Sequence, residues 1–465
     1  MTTIANAYPN TNPNTYPNTA NETTRKTTMR ALVLADFGSE LALADLPRPV
    51  PAPGEVLVRV AASGVNPLDT KIRVGAADHA EVALPAVLGI DLAGTVVELG
   101  AGTEDRFAVG DEVYGMTGGV GPHQGSLAEY AAVDANLLAP KAARLSMLEA
   151  AALPLAVITA WEGLVDRAGV SPGDLVLVHG GGGGVGSIAV QVALARGAIV
   201  FATEVGAGLD AVRALGAEPI DASSVTVEEY VGSATGGDGF DVVFDTRGGA
   251  TLDASFTAVR EHTGRVVSIL GWGSHSLAPL SFRGASYSGV FTLLPLLTGR
   301  GRAHHGEILR EATALVDAGR LAPRLAPERY DWASVMDAHH AVERGAAGKV
   351  VVDLSGPALP PAVSSYLRGD RARDLDVALG AFAATASVTD QDQTYLGVGR
   401  IEQWLTTTWA LFSYTVAPLS SETDEDGTVV VRVRLEGDFP GAVVDLDYRF
   451  TLHDSQIAAL EITPA

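Results

Sequence analysis

The sequence predicts an α/β protein built on a doubly wound parallel sheet, with a mainly β unit before it and an α+β unit after it. Three observations carry this. The stretch Leu175–Val200, LVLVHGGGGGVGSIAVQVALARGAIV, runs from a short apolar run through five glycines into helix-spaced apolar residues, and then into a second apolar run. Strand and helix signals alternate over residues 146–289, the pattern of a parallel sheet with crossover helices. Residues 362–465 place amphipathic helical segments first and long alternating strands last, which is an α+β order.

The elements follow in chain order. Residues 1–28 repeat Pro-Asn-Thr and hold almost no large aliphatic side chains. They cannot bury enough surface to offset the entropy of ordering, so a disordered tail is expected, with Met29 a second candidate start. From Met29 to about Pro140, short β-like runs (Ala31–Ala35, Val56–Ala61, Gly94–Leu99, Asp111–Tyr114) alternate with Gly and Pro. After the glycine stretch come a helix at Leu209–Leu215 ended by Gly216, the run Phe240–Gly249 and a strand at Gly264–Gly271. Residues 290–355 return to helix and close on GKVVVDL, a strand expected to rejoin the first unit. A Pro-rich joint lies at 356–363. Beyond it, helical segments are expected near Ser364–Phe382 and Arg400–Phe412, and strands at Thr428–Glu436, Val443–Leu452 and Gln456–Ile462.

Composition narrows the function. A chain of 465 residues suggests about three domains. Its net charge of −23 repels nucleic acid and anionic membranes, so neither is an expected partner. The absence of cysteine excludes disulfides and any thiolate-held zinc or iron–sulfur centre. No apolar run suits a membrane span and no basic-then-apolar leader is evident, so a cytoplasmic location is the default expectation.

The glycine run carries the chemistry. Gly181-x-Gly183-x-x-Gly186 fits a dinucleotide fingerprint set between a strand and a helix. Glycines let the chain turn sharply, let backbone N–H groups approach a pyrophosphate, and let helix and sheet pack closely, while the helix N-terminus supplies unpaired donors. Gly180-x-x-Gly183-x-x-Gly186 fits equally, so the register stays open. No Gly-Lys-Ser/Thr follows, which disfavours a triphosphate loop.

Taken together, VNPLD, PAVLGIDLAGTVVELG, GDEVYG, VHGGGGGVGSIAVQVA, RALGA, VVFDTRGG and GKVVV make Met29–Ser355 resemble the medium-chain dehydrogenase/reductase superfamily, in its zinc-independent quinone oxidoreductase and enoyl reductase branch. The resemblance implies a GroES-like catalytic domain at 29–145 completed by 290–355, and a Rossmann NAD(P)-binding domain at 146–289. It implies NADPH, or NADH, as cofactor, contacted by Thr159, Gly181, Gly183, Val185, Gly186, Thr203, Glu204, Leu270 and Lys349. It also implies a small hydrophobic quinone or enone substrate and a homodimer. Asn66 is the candidate catalytic hydrogen-bond donor and Asp69 its neighbour, although an Asn-Pro turn and a helix cap are their structural alternatives.

The zinc-dependent branch places a cysteine after the Ser-Gly turn and a histidine in Gly-His-Glu. Here those positions read Asn66 and Ile90, which are not zinc ligands, so no zinc is expected. His304–His305 and His339–His340 are expected to be surface or capping histidines. Glu204 lies about 20 residues after the glycines, where an acid accepts from a ribose 2′-OH. A carboxylate ~4 Å from a 2′-phosphate would cost roughly 4 kcal/mol at an effective dielectric of about 20. Arg213 on the next helix is the cation placed to offset it.

Residues 364–465 resemble the SnoaL-like (nuclear transport factor 2-like) α+β cone, on FAATASVTDQDQTYLGVGRIEQWL and FPGAVVDLDYRFTL. That implies a pocket with Asp390, Asp392 and Tyr395 at its mouth, serving lipid binding, dimerisation or catalysis. Two rival readings are a cofactor-sensing binding protein and an isomerase or cyclase activity in the cone.

Overall fold

The computed structural model describes residues 27–465 except Asp392 and Glu425. The expected tail lies outside the described residues as far as position 26, and the first strand opens at Thr28.

The central sheet has six parallel strands in the order Glu218–Asp221, Ile199–Glu204, Leu175–His179, Val242–Asp245, Arg265–Ser268, Ser286–Gly289. The chain starts in the middle and winds outward both ways. The order therefore reverses between Leu175–His179 and Val242–Asp245, and a crevice opens at their carboxyl ends. Val176, Leu177, Val178, Val242, Val243 and Phe244 are all buried, as a sheet covered on both faces requires.

The β-rich unit is organised on the strand Glu55–Val65, which pairs antiparallel with Asp91–Leu99, Tyr130–Asp134 and Val350–Asp353. Val350 lies opposite Val65 and Asp353 opposite Ala62, so the last strand does return to the first unit. The helix Pro67–Arg73 leaves the end of Glu55–Val65, with Asn66 as its N-cap and Pro67 in its first turn.

Beyond the Pro-rich joint, the helices Pro361–Ala372, Leu375–Gly380 and Val398–Leu411 accompany a six-stranded sheet. Its order is Gln393–Leu396, Phe382–Asp390, Gln456–Pro464, Val443–His453, Val429–Gly437, Tyr414–Thr423. One helix was expected near Ser364–Phe382, but there are two. Arg373 takes a left-handed φ of 57°, and the Asp374 side chain caps the next helix by accepting from Val377 N. The joint is also not a free spacer. Ala358 packs with the preceding core, Leu359 with the following one, and Pro361–Val363 already belong to a helix.

Two of the paired histidines are interior rather than superficial. His305 is fully buried, its Nε2 3.2 Å from Glu162 Oε1. His339 is also fully buried, and neither ring nitrogen has a hydrogen-bond partner among the described residues. Their helices turn one histidine of each pair toward the core because neighbouring side chains point about 100° apart.

Candidate active site

The glycine turn forms the floor of the crevice. Gly180 takes a φ of +75° to leave the strand. A Cβ on Gly181 would lie 2.5 Å from the Ala202 methyl, and one on Gly186 only 1.9 Å from the Gly180 carbonyl oxygen. Those two glycines serve the close approach of turn, helix and sheet. Gly183 is different: it precedes the helix Gly184–Ala195 as N-cap, and a Cβ there would meet only Gly180 O, at 3.2 Å. Its open face, like that of Gly184, lines the crevice. A helix N-terminus without a side-chain cap and with bare glycines before it fits a pyrophosphate.

Two adjoining cavities share Gly180 and Arg247. One, of about 530 Å³, lies between the two units and is lined by Asn66, Thr159, Gly183, Val185, Gly186, Leu270 and Lys349. The structure thus brings together seven of the sequence-selected residues. Glu204 and Thr203 line the second cavity, of about 470 Å³. Gly181 lies beneath, packed on Ala202.

At the base of the larger cavity is a buried polar cluster. Asn66 Nδ2 donates to Asp91 Oδ2 at 2.9 Å, and Lys349 Nζ donates to Asn66 Oδ1. Lys349 Nζ also lies 3.9 Å from Asp91 Oδ2. The second Asp91 oxygen accepts from Leu155 N at 2.8 Å. Asp69 stands behind Asn66: its carboxylate accepts from Asn66 N at 2.8 Å and from Ile90 N at 3.1 Å, and it is not among the cavity-lining residues. Burial pushes the Asp69 carboxyl up to about 7 and that of Asp91 to about 6, and pushes the Lys349 ammonium down. Ile90, at the position a zinc ligand would occupy, is a buried side chain whose amide serves Asp69. Among the described residues, no three His, Asp or Glu side chains converge as a metal site.

Above the cluster the walls turn apolar. His79 stacks on Trp272 at 5.1 Å, Phe291 meets both edge-on, and Leu68, Leu293 and Val342 complete the surface. Thr159 Oγ1 donates to its own helix at Leu155 O (2.7 Å) and lies 3.0 Å from Thr292 Oγ1. Asp91, Arg247, His179, Thr292 and this aromatic group were not singled out from the sequence. Asp91 had a local signal, since it follows Gly89-Ile90 where the zinc ligand is missing. Arg247 is carried by a loop that Asp245 ties down, accepting from Arg247 N, Gly248 N and Ser268 Oγ.

In the C-terminal unit, Asp390 and Tyr395 meet at Trp404. Asp390 Oδ2 accepts from Trp404 Nε1 at 3.1 Å, and the Tyr395 ring lies 6.2 Å from that of Trp404. Asp392 lies outside the described residues. Among the described residues of this unit the buried carboxylate is Asp370, which accepts from Trp409 Nε1 at 2.7 Å and Tyr414 OH at 2.9 Å.

A doubly wound sheet with a glycine turn at its switch point, closed against a β-rich unit, defines a two-domain nicotinamide-dependent enzyme. Family models agree on both parts: an alcohol dehydrogenase GroES-like domain matches residues 52–143, and a zinc-binding dehydrogenase domain matches 215–352. The chain is 35% identical over 336 residues to the chloroplastic NADPH-dependent alkenal/one oxidoreductase of Arabidopsis thaliana, covering 70% of this chain and 79% of that protein. An alcohol dehydrogenase superfamily protein from Novosphingobium aromaticivorans is 57% identical, with a TM-score of 0.69 over 70% of this chain and all of that one. The quinone oxidoreductase from Coxiella burnetii is 29% identical, with a TM-score of 0.60 over 70% and 99%. The chain belongs to the medium-chain dehydrogenase/reductase superfamily. It is an oxidoreductase, with the quinone and enone reductases among its relatives.

Proposed function

We propose that the chain reduces quinones or α,β-unsaturated carbonyls by a zinc-free route. A bound reduced nicotinamide dinucleotide would supply the hydride. The glycine turn and the N-terminus of Gly184–Ala195 hold its pyrophosphate, and Arg247, shared by both cavities, adds positive charge there. The stacked His79, Trp272 and Phe291 seat an apolar acceptor. Lys349 commits one proton to Asn66 and keeps its others for an oxygen in the cavity, where negative charge develops as the acceptor is reduced. Asn66 positions Lys349 and Asp91 holds Asn66, so the cluster does what a metal would do for an unactivated ketone.

The observation that carries this reading is the Asn66–Lys349–Asp91 cluster at the base of the larger cavity, beneath its aromatic wall. Incubation with NADH or NADPH and a panel of quinones and enones, following absorbance of the reduced cofactor, tests it. Turnover is expected. Tight cofactor binding with no turnover of any acceptor refutes it, as does stoichiometric zinc in the purified protein.

A homodimer accords with this reading. Ser286–Gly289 is an edge strand of the parallel sheet and carries the exposed Tyr287, with exposed Phe282 (86%) and Leu294 close before and after it in the chain. The C-terminal unit fits a SnoaL-like cone in its helices and mixed sheet, and a cytoplasmic location accords with the missing cysteines.

A further inference from the structure

We infer that this chain selects NADH over NADPH, through Glu204 and the acidic wall of the smaller cavity around it. The inference rests on the reading that the two cavities hold one dinucleotide, and it separates this chain from the relative named as NADPH-dependent.

Glu204 ends the second strand of the sheet, where an acid serves a ribose diol. Its side chain is fixed rather than free. One oxygen accepts from Gly182 N at 3.0 Å and the other from Val205 N at 3.2 Å, so the carboxylate is anchored to the glycine turn itself. Gly208 opens the following helix, and a Cβ there would lie 2.9 Å from Glu204 Oε2. No side chain at Gly208 therefore comes between Glu204 and that helix.

The rest of the wall suits a diol and not a phosphate. Glu228 adds a second acid. Tyr230 and His179 both line the cavity, are at least nine-tenths buried, and leave Tyr230 OH and His179 Nε2 without partners. Neither group supplies a cation: burial holds the His179 imidazole down at about 4. Arg213, expected to offset Glu204, instead pairs with Asp210 at 2.5 Å and does not line the cavity. Arg324 donates to Gly182 O and also lies outside the lining. Among the described residues Arg247 is the one cation in the wall, and its side chain packs at Gly180, on the turn that would hold the pyrophosphate. A 2′-phosphate here would face Glu204 and Glu228 with no cation of its own. Even heavily screened, that repulsion exceeds tenfold in affinity.

Equilibrium titration of the full chain with NADH and with NADPH, read by nicotinamide fluorescence, tests this without turnover. NADH is expected to bind at least tenfold more tightly. In Glu204→Gln, which keeps an oxygen for Gly182 N, the ratio is expected to fall at least fivefold, mainly by tighter NADPH binding. Glu204→Ser provides the same reading if the glutamine variant folds poorly. Equal or tighter NADPH binding by the natural chain overturns the inference, as does a ratio unmoved in both variants. Binding of neither dinucleotide overturns the dinucleotide reading and this inference with it. NADH binding without turnover of any acceptor strikes only the proposed reaction.

Discussion

Replacing Gly186 by alanine separates what the glycines do for the fold from what they do for a ligand. The new Cβ would lie 1.9 Å from Gly180 O, 2.7 Å from Gly180 C and 3.1 Å from Gly181 Cα. All three are backbone atoms, so no side chain can swing aside. An ordinary contact begins near 3.4 Å, so turn and helix must part by about 1.5 Å. Overpacking of this kind costs about 1–3 kcal/mol. The displacement also carries the N-terminus of Gly184–Ala195 out of register with a bound anion, so dinucleotide affinity should fall as well. Gly183→Ala is the matched control. Its Cβ meets the protein only at 3.2 Å, so stability should hold while the crevice face it fills loses cofactor affinity. Urea denaturation and dinucleotide titration of both variants check this. A Gly186→Ala protein with natural midpoint and affinity would refute the close-approach argument. A Gly183→Ala protein that binds normally would refute the placement of the pyrophosphate.

Three further outcomes are expected. In Asp91→Asn, one oxygen must serve both Leu155 N and Asn66 Nδ2, so a donor faces a donor and Lys349 loses its carboxylate; kcat should fall, and the alkaline limb of its pH profile should move to lower pH. Burial holds His339 down at about 4 instead of its ordinary 6.5, so the unfolded chain takes up a proton that the folded chain refuses, and acidification from 6.5 to 4 removes about 3 kcal/mol of stability; His339→Leu should flatten that acid loss in urea midpoints measured across this range. Phe282→Asp should reduce the mass measured by light scattering to that of one chain, with secondary structure retained.

Much of the architecture was legible because it is repetitive. Buried parallel strands need continuous apolar runs, and the turn after the first strand needs glycine, so LVLVHGGGGG could hardly be read otherwise. The site was less legible where chemistry depends on burial. Asp91 looks like any surface carboxylate of a strand end until Lys349, 258 positions later, is found beside it. Arg247 becomes a crevice residue only through the loop that Asp245 holds. In the C-terminal unit, helical periodicity ran on through Arg373 because it records which face is apolar, not where a left-handed residue and an aspartate cap restart the helix. His305 and His339 were misplaced for a related reason: a polar residue on an apolar face reads as surface until its neighbours are known.

The return of Val350–Asp353 to Glu55–Val65 has a consequence in the time order of synthesis. Asn66, Asp69 and Asp91 all leave the ribosome early, and the glycine turn follows in the middle of the chain. Lys349, the cation that offsets the two carboxylates, arrives only with the last strand of the β-rich unit. Until then the first unit holds buried carboxylates without a counter-charge and an open edge beside Val65. A chain halted after the parallel sheet would thus carry a complete dinucleotide cradle attached to a catalytic unit that cannot close.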